Sequence, residues 1–300
     1  MIIGLDNGFQ NTKTSEGIIF PSTIKTGKDI DINKDTINVN IDGIDYTVGA
    51  EDGEGVADNN KTNSLVTEIC TITAIAMSFP ESTFIEADVV AGLPIAFYSS
   101  QKEAFKEKLL SYGVKRIKIG EHFQDIKIKS VMVYPQSVGV AFLNAKDIKN
   151  DDTLIIDIGG STVDISHFEG MKLINKATYP LGMLKLYSNL VQRIVSEHDV
   201  NIAAYQMDNK LQKGYITSKT GKIDLGQYGS VIDEHVRKVA NAIKTDFKTH
   251  DTMDNTFIIG GGGIRLFDKI KPLFNNAELI DNAQFVNANA FKYMGELKSL

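Results

Sequence analysis

Short apolar runs alternate with longer mixed ones along this chain, and one combination occurs twice. Ile2-Ile3-Gly4-Leu5 ends in Asp6 and turns over Gly8; Leu154-Ile155-Ile156 ends in Asp157 and turns over Gly159-Gly160. Each copy then runs through a polar-apolar return segment, a Glu-Gly pair (Glu16-Gly17; Glu169-Gly170) and a third apolar run. Such runs bounded by turn residues predict strands. The repetition predicts two similar half-molecules facing one cleft, with an acid at the mouth of each hairpin.

The rest of the pattern fills in around these hairpins. Residues 37–48 alternate about Asp42-Gly43, a hairpin signal. Residues 62–79 are apolar on most sides and predict a buried helix holding Cys70. Asp88 to Leu93 predicts a buried strand closed by Gly92-Leu93-Pro94. Phe105, Leu109 and Leu110 mark one side of an amphipathic helix over 99–112. Strands around 114–120 and 124–134 follow, and Pro135-Gln136-Ser137 opens a small-residue helix over 138–144. In the second half, hairpin strands fill 153–178, helical segments occupy 182–213, and a long helix runs from Gln227 to Thr249. A last apolar strand, Thr256 to Ile259, leads into Gly260-Gly261-Gly262-Gly263 and another helix. Strands alternating with helices predict the α/β class.

Composition narrows the setting. Three hundred residues suffice for two cored domains, and 42% hydrophobic with 23% charged residues is ordinary for a globular protein. The longest apolar run, 65–79, is broken by Thr67, Glu68, Thr71 and Thr73, so no membrane span is expected. No basic leader precedes the first strand, and a lone cysteine excludes an intrachain disulfide or a cysteine metal cage. These features fit the cytoplasm. A net charge of −6 argues against direct contact with nucleic acid. Residues 28–58 are acidic (Asp29, Asp31, Asp35, Asp42, Asp45, Glu51, Asp52, Glu54 and Asp58 against Lys28 and Lys34), whereas Lys102, Lys106, Lys108, Lys115, Arg116, Lys118, Lys127 and Lys129 make a basic stretch. That asymmetry suits a head-to-tail contact between copies, although charge runs more commonly mark solvated faces.

An Asp-x-Gly turn by itself marks many hairpins; two copies with matching downstream turns carry more weight. Asp6 and Asp157 are expected at strand ends, pointing into the cleft, where two carboxylates can hold a hydrated cation from opposite sides. Glycines beside them let backbone N–H groups approach phosphates. Lys13, on the first return strand, can set an ammonium against a phosphate or simply face solvent. Gly260 to Gly263 lacks the Gly-Lys-Ser/Thr of a P-loop and the spacing of a dinucleotide fingerprint. A strand, four glycines and a helix start still make an anion-cradling turn, with a plain tight turn as the alternative.

Taken together, these segments resemble the actin superfamily of actins, seventy-kilodalton chaperones and sugar kinases. Its first phosphate loop is similar to Asp6-Asn7-Gly8 through Lys13, its second to Asp157-Ile158-Gly159-Gly160-Ser161-Thr162-Val163-Asp164, and its adenosine motif to Ile258 through Gly263. Its connecting helices are similar to Tyr134-Pro135-Gln136-Ser137-Val138-Gly139 and Asn287-Ala288-Asn289-Ala290-Phe291. The second loop, Gly92-Leu93-Pro94 and the ending Gln284 to Phe291 most resemble the bacterial plasmid-segregation actins of the ParM type.

The resemblance implies two ribonuclease H-like domains with a nucleotide cleft between them. Domain I would span 1–150 with a peripheral insertion over about 25–80, and domain II 151–300 with one over about 186–250. A last helix over about 284–297 would pack back on domain I. It also implies the roles. Asn7, Gly8, Asn11 and Lys13, with Gly159, Gly160, Ser161 and Thr162, cradle the phosphates of ATP or GTP. Asp6 and Asp157 organise Mg²⁺ through water, and Gln136 and Asp164, an exposed aspartate, position the attacking water. Gly260, Gly261, Gly262 and Gly263 line ribose and base, helped by Glu234, Arg237 and Lys238 on the long helix, whose other reading is a solvated face. The implied activity is nucleoside triphosphate hydrolysis coupled to polar filament formation, with a DNA-binding adaptor linking filament to cargo and no direct partner in nucleic acid or membrane. A sugar- or acetate-type kinase of the same fold, or a non-polymerising chaperone-like ATPase, is the alternative.

Overall fold

The computed structural model describes residues 1–29, 36–56 and 64–298. Asp31, Lys34, Asp35 and Asp58 of the acidic stretch, and residues 62–63 of the expected first helix, lie outside these. The N-terminal half runs β1 (Ile2–Asn7), β2 (Asn11–Thr14), β3 (Ile19–Pro21), β4 (Thr23–Thr26), β5 (Ile37–Ile41), β6 (Ile44–Val48), β7 (Glu54–Gly55), α1 (Leu65–Ser78), β8 (Phe84–Leu93), α2 (Ile95–Leu110), β9 (Val114–Ile119) and β10 (His122–Pro135). Two short helices, α3 (Val138–Leu143) and α4 (Ala145–Ile148), lead across. The second half runs β11 (Asp152–Ile158), β12 (Val163–Glu169), β13 (Lys172–Tyr179), α5 (Met183–Glu197), α6 (Met207–Lys213), β14 (Tyr215–Ser218), β15 (Gly221–Asp224), α7 (Gly229–Asp246), β16 (Asn255–Ile259), α8 (Gly260–Ile270), β17 (Ala277–Leu279) and α9 (Val286–Leu297).

The repeat in the sequence is a repeat in topology. The central strands of one sheet run β3-β2-β1-β8-β10, and the other sheet runs β13-β12-β11-β16-β17. In both, the first strand pairs antiparallel with the second and parallel with the fourth. The first sheet continues from β10 through β9, β5, β6, β4 and β7. One core joins α1 to the outer face of the first sheet, through Leu5, Ile72, Ile75 and Val89. A second joins the opposite sheet to α5, α7 and α8, through Ile156, Ile158, Leu190, Val239 and Leu266. Between the sheets, Val140 of α3 and Val286 and Ala290 of α9 meet Ile155, Phe257 and Ile259. Helix α9 reaches the first sheet as well. A Cβ on Gly4 of β1 would stand 1.8 Å from the Ala288 carbonyl oxygen.

Several elements depart from the sequence reading. The strand expected from Asp88 starts at Phe84, because residues 84–87 pair with 125–128 of β10. Helix α2 begins at Ile95 rather than near 99: Pro94 breaks the strand, and its φ of −52° already suits the entry to a helix. The β14–β15 hairpin was not anticipated, although Ser218-Lys219-Thr220-Gly221 carries its turn. The four glycines are no turn ahead of a helix; they are the first turn of α8.

The acidic and basic stretches, read in the sequence as suited to a contact between copies, lie partly beside each other in one chain. Strand β5 pairs with β9, which sets the two stretches side by side in one sheet. Lys115 lies 3.1 Å from Asp42 and 3.0 Å from Glu68, and Arg116 forks onto Asp125 at 2.8 and 2.9 Å. Of these contacts, the Lys115–Asp42 pair joins the two stretches, and Glu68 and Asp125 lie outside the acidic one.

Candidate functional site

The two hairpins bring their acids to one place. Asp6 and Lys13 are cross-strand partners on β1 and β2, and the Lys13 ammonium donates to Asp6 Oδ2 at 2.9 Å. The equivalent partner of Asp157 across β11 and β12 is Asp164. One hairpin therefore opposes an acid with a base, and the other opposes an acid with an acid. All three carboxylates are buried, at 2% (Asp6), 5% (Asp157) and 2% (Asp164) exposure. Asp164 is thus not the exposed aspartate expected: it is the second residue of β12, level with Asp157 at the end of the sheet, and donors surround it.

The connecting segments tie the two acids together. Gln136, just past β10, donates from Nε2 to Asp6 Oδ1 at 2.9 Å. Its neighbour Ser137 adopts φ 64°, which turns the chain sharply into α3. The Ser137 N–H donates to Asn287 Oδ1 at 3.0 Å, and Asn287 Nδ2 donates to Asp157 Oδ2 at 2.6 Å. Asp6, Gln136, Asn287 and Asp157 thus form a near-continuous polar chain from one domain to the other.

Burial, and then the like charge of Asp164, pushes the Asp157 carboxyl up to about 7, against the opposing pull of Asn287 and Lys13. Burial acts to lower the Lys13 ammonium, but Asp6 and Asp157 outweigh it and the net shift is upward. Three carboxylates facing one ammonium leave the site negative. A polyphosphate would be repelled from such a site unless a cation came with it. The hard oxygen donors of Asp6 and Asp157 suit Mg²⁺, which keeps most of its waters. Among the described residues, no group of three His, Cys, Asp or Glu side chains is placed to hold a metal unaided. Two carboxylates are fewer than the ligands Mg²⁺ requires, so Asp6 and Asp157 would hold it with water or phosphate oxygens completing the shell.

Backbone surrounds the acids. Gly8, Asn11, Lys13, Gly159, Gly160, Ser161, Thr162, Gly260, Gly261 and Gly262 line the same cavity as Asp6, Gln136, Asp157 and Asp164. Gly260 has φ 84°, and a Cβ there would stand 2.5 Å from Asp157 Oδ1. The cavity between the loops is small, about 50 Å³, and opens to solvent. The two loops touch directly, for a Cβ on Gly160 would stand 2.6 Å from Gln10 Cβ.

Two expected residues stand elsewhere. Asn7 turns away and donates to Thr71 Oγ1 of α1 at 2.8 Å, and Gly263 lies against Ile258 outside the cavity lining. Glu234, Arg237 and Lys238 line a separate depression of about 850 Å³ between α5 and α7, which shares no lining residue with the glycine-rich cavity. Beside the glycines of α8, Arg265 instead forks onto Asp208 of α6 at 3.1 Å in both bonds, and the Tyr187 hydroxyl donates to Asp208 at 2.7 Å. Phe9, Gln10, Gln284 and Asn287 line the cavity without having been assigned to it. Phe9 and Gln10 follow Gly8 directly, so their place in the loop was a usable signal. Asn287 had none beyond its segment's resemblance.

Both halves match family models. Residues 4–139 match the actin like proteins N terminal domain, and residues 155–272 match the archaeal actin homologue MreB-like, C-terminal. Among solved structures, a 15-stranded ParM filament from Clostridium botulinum is similar at TM-score 0.85 and 24% identity, over 99% of each chain. The archaeal actin homolog Ta0583, in complex with ADP, is similar at TM-score 0.83 and 18% identity, over 99% of each chain. The Alp12 filament structure is similar at 0.70 and 21%, covering 100% of this chain and 99% of that one. No curated protein sequence matches this one. At these identities the structural likeness carries the fold.

Proposed function

From the premise that the chain belongs to the actin superfamily, we propose that it binds and hydrolyses Mg-ATP or Mg-GTP and assembles head to tail into polar filaments that disassemble after hydrolysis. The observation that carries this reading is the meeting of Asp6, Lys13, Gln136, Asp157 and Asp164 with two glycine loops in one interdomain cavity. The printed descriptions of the ParM and Alp12 relatives as filaments support self-association, and the ADP complex of Ta0583 supports a nucleotide. An adaptor would link such a filament to DNA, since a net charge of −6 disfavours direct contact.

In this reading Asp6 and Asp157 orient the metal's water shell, and the metal supplies charge neutralisation on the phosphates. The loop N–H groups and Lys13 bind the phosphate oxygens. Gln136 and Asp164 orient the attacking water; phosphoryl transfer needs positioning and charge stabilisation more than a strong base. Closure of the two halves on one ligand fixes their relative angle, and one angle presents matching surfaces to the next copy.

Sedimentation tests the assembly. At tens of micromolar protein, a non-hydrolysable triphosphate analogue is expected to trap pelletable polymer, and the diphosphate to release it. Equal monomer with triphosphate, analogue and diphosphate would favour a kinase of the same fold. Gln136→Ala is expected to lower kcat by about ten- to a hundredfold and to change nucleotide Kd by less than about threefold, because water positioning matters only toward the transition state. A Kd that rises as far as kcat falls would make Gln136 a binding residue, acting through its bond to Asp6.

A further inference from the structure

Helix α2 starts directly after Pro94, which gives its first turn no side-chain cap. The first amides of a helix lack intrahelical acceptors and need partners. Here two of them are satisfied from the other domain. The Ile95 N–H donates to Asp164 Oδ1 at 3.0 Å, and the Ala96 N–H donates to the Thr178 hydroxyl at 3.1 Å. Thr178 in turn donates to Asp164 Oδ1 at 2.6 Å, and Thr162 donates to Asp164 Oδ2 at 2.8 Å. Thr178 reaches because it is the cross-strand partner of Asp164 on β13. One hydroxyl thus serves as acceptor for the first domain and donor to a carboxylate of the second, which exhausts its proton.

We infer that Thr178 is a positioning residue: it fixes the orientation of Asp164 and makes that orientation conditional on α2 being docked, so that the carboxylate facing the phosphate site is set only while the two domains are closed. The catalytic consequence rests on the hydrolase reading above; the clasp itself does not. The halves cannot separate at α2 without breaking both bonds. The released Asp164 then loses its backbone donor from the first domain, and the Thr178 hydroxyl loses the Ala96 N–H that fixes its own direction, while Thr162 still donates to Oδ2. Asp164 is already the residue opposite Asp157, so its direction sets the field at the acid that faces the nucleotide.

Thr178→Val keeps the shape and the strand preference while removing donor and acceptor together; Thr178→Ser restores both. The first readout is hydrogen exchange at the Ile95 and Ala96 amides without nucleotide. Exchange at Ala96 is expected to accelerate about tenfold or more in the valine variant and to stay within about threefold of wild type in the serine variant. The second readout is steady-state hydrolysis: kcat is expected to fall about tenfold in Thr178→Val with KM within about threefold, and to recover in Thr178→Ser. Should the valine variant fail to fold, Thr178→Ala carries the same test. Unchanged exchange at Ala96 overturns the clasp, whatever the nucleotide chemistry. Accelerated exchange with unchanged kcat, or a kcat loss that serine does not rescue, overturns the positioning role. A wild-type protein that binds but does not hydrolyse nucleotide would count against the hydrolase reading, while the exchange result would still decide the clasp.

Discussion

Asp157→Ala is expected to lower the hydrolysis rate by about a hundredfold or more, since removing a group that organises the transition-state charge typically costs several kcal/mol of barrier. The side chain stands at the end of β11, buried, with Asn287 on one oxygen and Asp164 across the hairpin. The same substitution should change the stability of the empty fold only modestly, and the pH dependence gives the sign. In the unfolded chain Asp157 ionises near the ordinary carboxylate value of about 4. In the fold, burial and Asp164 raise it to about 7. Between those values the native state holds a proton that the unfolded state has lost, so wild-type stability falls as pH rises through the window and levels off above it. Alanine removes that dependence. The stability of the variant relative to wild type should therefore climb from pH 5 to pH 8 in denaturant melts. Near-normal phosphate release by a folded variant would remove Asp157 from the mechanism. A flat difference across pH would mean that the carboxyl ionises normally in the fold.

Gly4→Ala is expected to destabilise the fold strongly. The added carbon would stand 1.8 Å from the Ala288 carbonyl oxygen and 2.7 Å from the Lys292 nitrogen, both backbone atoms of α9. Backbone cannot rotate aside as a side chain can, so β1 and α9 must separate. Overpacking of this kind costs about 3 kcal/mol, which at about 2.1 cal/mol/K of unfolding entropy per residue corresponds to a fall in Tm of about 5 °C for a chain of 300 residues. Nucleotide affinity should fall with it, because Asn287 precedes Ala288 and would be drawn from Asp157. Gly229→Ala is the control: its Cβ meets nothing within 4 Å at the start of α7, and alanine favours a helix. If the two variants melt alike, α9 does not sit against β1 as described.

Much of the site was legible because it is local. A strand, an acid, a glycine turn and a return strand lie within a dozen residues, and their chemistry shows in the order of letters. Even the place of Asn7 could have been read. Successive residues of a strand point to opposite faces, so once Asp6 faces the cleft, Asn7 must face α1. The four glycines were legible as a functional run but not as a helical turn, since low helix propensity argued against it and contact with Ile158 and Met183 decided it.

The sequence by itself determined the two repeated hairpins, the acid at the end of each first strand and the α/β alternation, because periodicity and turn chemistry act over a few residues. Only the tertiary structure decided what those acids meet. Asn287 reaches Asp157 across 130 positions, Gln136 reaches Asp6 across another 130, and Ala96 finds Thr178 across 82. The order of strands also decided that part of the acidic stretch, around Asp42, lies beside part of the basic one, around Lys115, in one sheet. Such pairings depend on which strands lie side by side and which face each side chain takes. Both are set by burying several apolar surfaces at once, a global condition that no short window of sequence contains.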